Sequence, residues 1–367
     1  MKEKLKGIYI YIGIGAGFLL LSAALLTAAR FSEPFAEWYA GGPYQILAAS
    51  WGRIYGILPF SAAEFLLYAF VSGGIVWILY IAVSAAATCL KIGKLKKEKI
   101  YFAKQGAVAL CISGCLLFSY TIGCGINYQR ISFAEQNGLV LESYTAEELA
   151  YVCALLTEEL NQSAELVVRD DGYVMVHEDN LEAGAVQAME QAAEQYSLLE
   201  GYYPKPKAVK VPWILSVQQI TGIYSPFTFE ANYNGDIPDY GVPFTACHEL
   251  AHLRGFMREE EANFIAWLAC RESDRIDFRY GGNLRGWISC MNVLYRTDYD
   301  AWMAIRVQLH PLIEADLAAN REYWAKYEGP VAEAAEKVNN NYLKANGQSD
   351  GVKSYGRMAD LIVAYYI

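Results

Sequence analysis

Residues 7–29, GIYIYIGIGAGFLLLSAALLTAA, run for 23 positions without a charged side chain, between Lys6 and Arg30. A helix of that length covers a hydrocarbon core about 30 Å thick, so the stretch can cross a bilayer. Three lysines before it and small residues at its end also fit a cleaved signal peptide. Two further runs favour an uncleaved span. Residues 62–90 hold a single charge, Glu64, near the end where a carboxylate can reach the headgroups, and residues 106–126 hold none. With 54% of the 367 residues hydrophobic, a membrane anchor of three transmembrane helices over 1–126 is the expectation.

The basic residues orient these spans. The segment 91–104, KIGKLKKEKIYFAK, carries six lysines, whereas 30–61 carries only Arg30 and Arg53. Counting Lys and Arg puts the N-terminus and the 91–104 loop in the cytoplasm of a multi-pass cell-membrane protein. Residues 127–367 then form an extracytoplasmic domain. Net charge is +6 over 1–126 and −16 over 127–367, which argues against nucleic acid as a partner of that domain and leaves membrane lipid as a partner of the anchor. The 30–61 loop is rich in aromatics (Trp38, Tyr39, Tyr44, Trp51, Tyr55), which suits a segment lying on the outer leaflet and equally an ordinary ordered loop.

Of eight cysteines, Cys89, Cys111, Cys115 and Cys124 lie in or beside apolar runs, where a thiol is a small hydrophobe. Cys153, Cys247, Cys270 and Cys290 are widely spaced, with no CxxC pair, so no zinc-thiolate site or disulfide framework is read.

From residue 127 the pattern is that of a mostly helical domain. Thr145 followed by Glu148 forms a capping box that opens a helix over 146–161, and a second helix is expected at 182–199. Between them AELVVRDDGYVMVHED alternates around a DG turn, as a short hairpin would. Pro and Gly break the chain at 201–211. The stretch GIYSPFTFEANYNGDIPDYGVPF then predicts a strand or two whose exposed edge could pair with an extended peptide. After 271 the composition is helical, with loops at Gly281–Gly282 and at 346–348, and the last run, MADLIVAYYI, is too short to span.

The chemistry concentrates in FTACHELAHLRGFMREEEANFIAW, residues 244–267. His248 and His252 stand at i and i+4, so on a helix over 244–254 both imidazoles project from one face and can close on one ion. A catalytic zinc ion (Zn2+) takes three protein ligands and keeps one open position. If 258–272 folds back as a helix after Gly255, Glu259 can ligate while Asn263, one turn on, hydrogen-bonds a ligand imidazole. Glu261 competes, but its i+4 neighbour Ile265 offers no such support. An ordinary amphipathic helix with two solvated histidines and an acidic helix start is the reading without function.

HELAH followed by EEEAN resembles the gluzincin arrangement, HExxH then ExxxD/N, of thermolysin-like peptidases and, in an ExxAN form, of ImmA/IrrE-type metallopeptidases. More closely, SPFTFEANYNGDIPDYGVPFTACHELAHLRGFMREEEANFIAW, YLKANGQSDGVKSYGRM and the three spans resemble a bacterial membrane family catalogued as domain of unknown function 3810. The resemblance implies a zincin-like α+β domain with a small sheet. In it His248, His252 and Glu259 hold Zn2+ and Glu249, not a ligand, acts as general base. The spacing from His252 to Glu259 is much shorter than in thermolysin-like enzymes. The implied function is a membrane-anchored metallopeptidase that hydrolyses peptide or protein substrates outside the bilayer. Two alternatives stand beside it: a zinc amidase acting on cell-wall peptides, and a non-catalytic zinc-stabilised ectodomain that binds wall material or a partner protein.

A developing oxyanion needs a donor, for which His310, Tyr355 or another tyrosine is available. His177 has no assigned role. The 28 tyrosines and 8 tryptophans fit sugar stacking, and fit core and membrane-interface positions as well.

Overall fold

The structure is a computed structural model that describes residues 2–89 and 95–367. Leu90 and residues 91–94, the end of the second expected span and the start of the lysine-rich loop, lie outside the described residues. In chain order the helices begin with α1 (Lys2–Phe31), α2 (Glu33–Gly41), α3 (Pro43–Gly56), α4 (Ala62–Cys89) and α5 (Leu95–Gly123). They continue with α6 (Phe133–Gln136), α7 (Ala146–Ala164), α8 (Leu181–Gln195), α9 (Trp213–Ser216), α10 (Gly241–Leu253) and α11 (Glu259–Arg271). The last five are α12 (Ile276–Thr297), α13 (Tyr299–Arg306), α14 (Pro311–Ala325), α15 (Pro330–Ala345) and α16 (Met358–Tyr366). Three short strands are β1 (Lys207–Ala208), β2 (Gly222–Ser225) and β3 (Glu230–Tyr233). The chain divides into two compact units, Met1–Tyr44 with Ala62–Arg130, and Gln45–Ser61 with Ile131–Ile367.

In the first unit α1, α4 and α5 each contain a stretch long and apolar enough to cross a membrane: Leu5–Phe31, Ala62–Ala87 and Ile100–Gly123. The third differs from the 106–126 expected. Lysine is a good helix former, so the described part of the basic segment extends α5 back to Leu95 instead of looping, and the helix ends at Gly123 before a 3-10 turn over Gly125–Gln129. α1 and α5 meet backbone to backbone. A Cβ on Gly15 would lie 2.6 Å from the Leu110 carbonyl oxygen, and one on Gly114 would lie 2.4 Å from that of Gly15. Small residues at such a crossing let helices associate where lipid supplies no hydrophobic drive. The aromatic-rich 30–61 segment is two helices instead of a loop. Ser32 caps α2 by accepting from the Phe35 N–H, and α3 follows after Gly42.

In the second unit the core is formed by α10, α11 and α12, with α7, α8 and α16 around them. Thr145 and Glu148 close the capping box of α7 in both directions. The strands form one sheet in the order β1-β3-β2, with β3 parallel to β1 and antiparallel to β2, so β2 is an edge strand. The expected hairpin at 164–179 reduces to one antiparallel bridge, Arg169 to Met175. Asp170 N–H to the Val174 carbonyl and Val176 N–H to the Val168 carbonyl close it, while the Met175 N–H and the Arg169 side chain donate to the buried Asp316 carboxylate at 2.7 Å and 2.9 Å.

The loop expected at Gly281–Gly282 does not exist, because α12 runs straight through both glycines. They thin the helix. A Cβ on Gly281 would sit 2.3 Å from the Tyr240 carbonyl oxygen, and one on Gly282 would sit 2.4 Å from the Cys270 Cβ. The glycines therefore allow close approach, and the ends of α10 and α11 occupy the space. MADLIVAYYI forms α16, whose Leu361 and Ile362 are buried.

Candidate metal centre

α10 buries almost every residue from Val242 to Leu253, and it ends where the sequence supplies a glycine. Gly255 takes φ +94, its N–H donates to the His252 carbonyl, and the Phe256 N–H reaches back to that of Ala251. This pair of bonds is the glycine-terminated C-cap that turns a chain sharply. The turn brings Glu259, in the first turn of α11, back over the face of α10 that carries the two imidazoles.

The Glu259 Oε2 atom lies 3.3 Å from His248 Nε2 and 3.7 Å from His252 Nε2. Charge-assisted hydrogen bonds between such groups are shorter, about 2.7–2.9 Å. Ligands at about 2.0–2.1 Å from a tetrahedral zinc stand about 3.3 Å apart, so small adjustments of these side chains would let the three donors close on one ion. All three donor atoms lie within 4.8 Å of one another. His252 Nδ1 is 2.8 Å from the Phe256 carbonyl oxygen, which can only accept. Nδ1 is therefore a donor, and Nε2 is the ring nitrogen turned to the cluster, free to ligate once it gives up its proton. Asn263, one turn beyond Glu259 and buried, interacts with the His248 imidazole.

Glu261 goes elsewhere. It accepts from the Phe133 N–H at 3.3 Å and from Arg258 at 3.0 Å, and so ties the start of α11 to α6. Glu260 receives the Gln348 amide at 2.6 Å and has Arg357 at 3.6 Å. Three consecutive glutamates thus take three different partners, because successive helix positions point about 100° apart.

The metal-free cluster stores its charge as a proton. Burial alone would lower the His252 pKa, but the Glu259 carboxylate raises it to about 9. His248 is pushed down by burial and by its charged neighbour. Glu259 stays far below the ordinary carboxylate range despite its burial, because both imidazoles favour its anion.

Glu249, one residue after His248, is 3% exposed, accepts the Tyr224 backbone N–H, and has an Oε2 atom without a hydrogen-bond partner. Burial pushes its carboxyl up to about 8. Its room comes from β2: a Cβ on Gly222 would lie 2.5 Å from Glu249 Oε1. Gly222 and Tyr224 were not singled out from the sequence. The only signal for them was a glycine inside an alternating aromatic stretch just before the histidines.

Tyr355, in the 3-10 segment Gly351–Arg357, accepts from the Asn339 amide at 3.3 Å, and its phenol interacts with Glu259. The residue is 37% exposed, but desolvation of its phenol and the nearby carboxylates hold it above the ordinary tyrosine range, so it remains a donor at neutral pH. His310 lies elsewhere. It caps α14 by accepting from the Leu312 N–H and stands 3.3 Å from Glu165. His177, 4.0 Å from Asp239, has no part in the cluster.

These features define a mainly helical protein with membrane-length apolar helices in one unit and a buried His–His–Glu cluster, able to hold a metal ion, in the other. The chain belongs to the family described as protein of unknown function (DUF3810), whose model matches residues 39–363. No curated protein and no solved structure matches it.

Proposed function

We propose that the chain is a membrane-anchored, zinc-dependent metallopeptidase with a zincin-like catalytic body outside the cytoplasm. Glu249 carries the reading. A purely structural metal site has no need of a buried carboxylate with an unpartnered oxygen beside its ligands, whereas a hydrolytic site needs one. His248 Nε2, His252 Nε2 and Glu259 Oε2 are the atoms to hold the ion. When bound, zinc would polarise a carbonyl oxygen and lower the pKa of water at the site to about 7.

The protein's own groups supply the rest. Glu249 takes a proton from the attacking water and returns it to the leaving nitrogen. Tyr355 donates its hydroxyl hydrogen to the developing oxyanion. β2 is an edge strand whose Tyr224 N–H points at Glu249, so an extended peptide added along that edge would pass the base. The lysine-rich 91–104 segment favours a cytoplasmic N-terminus, and three spans then carry residues 127–367 to the opposite side.

The test is Glu249→Gln in the full-length protein. Zinc content and melting temperature should match wild type, while cleavage of a mixed library of peptides and cell-wall fragments should fall by about 10²–10⁴-fold. If wild type cuts nothing that the variant spares, and both bind the same wall fragment or protein equally, the peptidase reading fails and a zinc-stabilised binding module replaces it.

A further inference from the structure

We propose that the outer face of α3 lies in the membrane–water interface and holds the body, with its metal cluster, against the bilayer surface; this rests on α1 and α4 being spans. α3 is fastened to the body at four places, by its inner face and by Arg53 on its flank. A Cβ on Gly52 would meet Pro204 Cγ at 3.3 Å, and the Arg53 guanidinium sits 4.3 Å from the centre of the Tyr202 ring. Lys207 Nζ donates to the Tyr55 carbonyl at 2.7 Å. The Gln45 amide donates at 3.3 Å to the carbonyl of Arg254, two residues beyond His252, which ties α3 to the end of the histidine-bearing helix.

The outer face carries the opposite chemistry. At about 100° per residue Ile46, Ser50, Arg53 and Ile54 share one stripe, which Ile57 prolongs just past the helix end. Ile46, Ile54 and Ile57 are 69%, 57% and 81% exposed, and Trp51 stands at the edge of the stripe. Aliphatic residues in a stripe with a tryptophan and an arginine beside them are the composition of a helix lying in the headgroup region, where a long basic stem can reach water.

Connectivity selects lipid as the occupant over a second protein. The segment 32–61 joins the membrane-length stretch ending at Phe31 to the one beginning at Ala62. Only five residues separate Gly56 from Ala62, a reach of at most about 22 Å. Local charge agrees: Arg53 and the exposed Lys205, next to Pro204, give a basic rim on a body whose residues 127–367 carry −16. Such a rim complements anionic headgroups. The cluster would then act on chains that are themselves tethered to the membrane or lie close to it.

The test places a small environment-sensitive fluorescent amino acid, one position per sample, at Ile54, at Ile78 in α4, and at Val338 on α15. The full-length protein is reconstituted in vesicles of phosphatidylcholine and phosphatidylglycerol. Quenchers are doxyl groups carried on lipid near the headgroup or deep in the chain, and iodide in the water. Ile54 should lose most of its emission to the shallow doxyl and resist iodide, Ile78 should respond to the deep doxyl, and Val338 only to iodide. If Ile54 behaves like Val338 while Ile78 responds to deep doxyl, α3 does not touch lipid and the proposal alone falls. If Ile78 is also insensitive to lipid-borne doxyl, the reading of α4 as a span falls and the proposal with it. Resistance of Ile54 to every quencher would mean that protein covers the face, and would overturn the proposal as well.

Discussion

Helices α4 and α11 are both built largely from apolar residues, and they solve opposite problems. α4 exposes Leu66, Phe70, Ile75, Leu79 and Val83, and its one carboxylate, Glu64, is buried and accepts from the Tyr68 hydroxyl at 2.7 Å. A helix that is apolar around its whole circumference requires an apolar solvent. α11 has less than half the length and carries three glutamates, an asparagine and an arginine, yet nearly every residue from Glu259 to Cys270 is buried. Its carboxylates are enclosed because each has a partner: the imidazoles for Glu259, Gln348 for Glu260, and Arg258 with the Phe133 amide for Glu261. The contrast shows that a membrane-length apolar helix is specified by composition, whereas a core helix bearing a polar cluster is specified by geometry.

The largest effect should come from removing what α11 and α10 share. His248→Ala or His252→Ala should abolish stoichiometric zinc, measured by metal analysis of the purified protein, and Glu259→Ala should weaken it strongly. Glu261→Gln should keep zinc and lower only stability. If Glu261→Gln loses the metal while Glu259→Ala retains it, the three-donor assignment is wrong.

Next comes Tyr355→Phe. Loss of an oxyanion donor costs about 10²–10³-fold in kcat with little change in zinc content. An unchanged kcat would remove Tyr355 from the chemistry and leave it as packing over α11.

The comparison can be put most directly with one substitution at two sites. Leu268→Ala in α11, where the side chain is fully buried, should cost about 2–5 kcal/mol, whereas Leu79→Ala in α4, 60% exposed, should stay within about 0.5 kcal/mol in lipid vesicles. Equal losses would mean that α4 is covered by protein.

The smallest effect is on pH dependence, read by denaturant unfolding of the chelator-treated protein. Glu249 has a folded pKa of about 8, above the ordinary 4.5, so its contribution is fully present below about pH 4.5 and is lost as pH rises through 8. His252, raised from 6.5 to about 9, adds a loss over that higher window. Glu259 and His248 act in the opposite sense: the lowered pKa of Glu259 gives stability above about pH 4.5, and that of His248 stability above about pH 6.5, each lost on acidification. The metal-free protein should therefore be most stable in mildly acidic solution. Glu249→Gln should flatten the decline between about pH 4.5 and 8; if it leaves the decline unchanged, that carboxyl is not buried as described.

The sequence by itself determined the membrane-length helices, the capped start of α7 and the two histidines on one helical face. Each depends on neighbours along the chain: a run of uncharged residues, a Thr–Glu pair three apart, an i, i+4 spacing. It also singled out Asn263 beside Glu259 by the same periodicity. What it could not reach was decided by residues distant in the chain. Gly281 and Gly282 read as a loop because glycine disfavours helix, but the Tyr240 carbonyl and the Cys270 side chain need the space and the helix continues. The 164–179 hairpin read from its turn and forms as a single bridge, but its tie to Asp316, more than a hundred residues on, was not readable. Residues 45–61 read as part of the anchor's loop, but their glycines fit Tyr202 and Pro204 and they pack with the body. The room around Glu249 depends on a glycine in β2, a strand that reaches the base only after the sheet has formed. Local pattern sets helices because their hydrogen bonds close within four residues. The site's geometry and charge balance depend on burial, which only the packed chain provides.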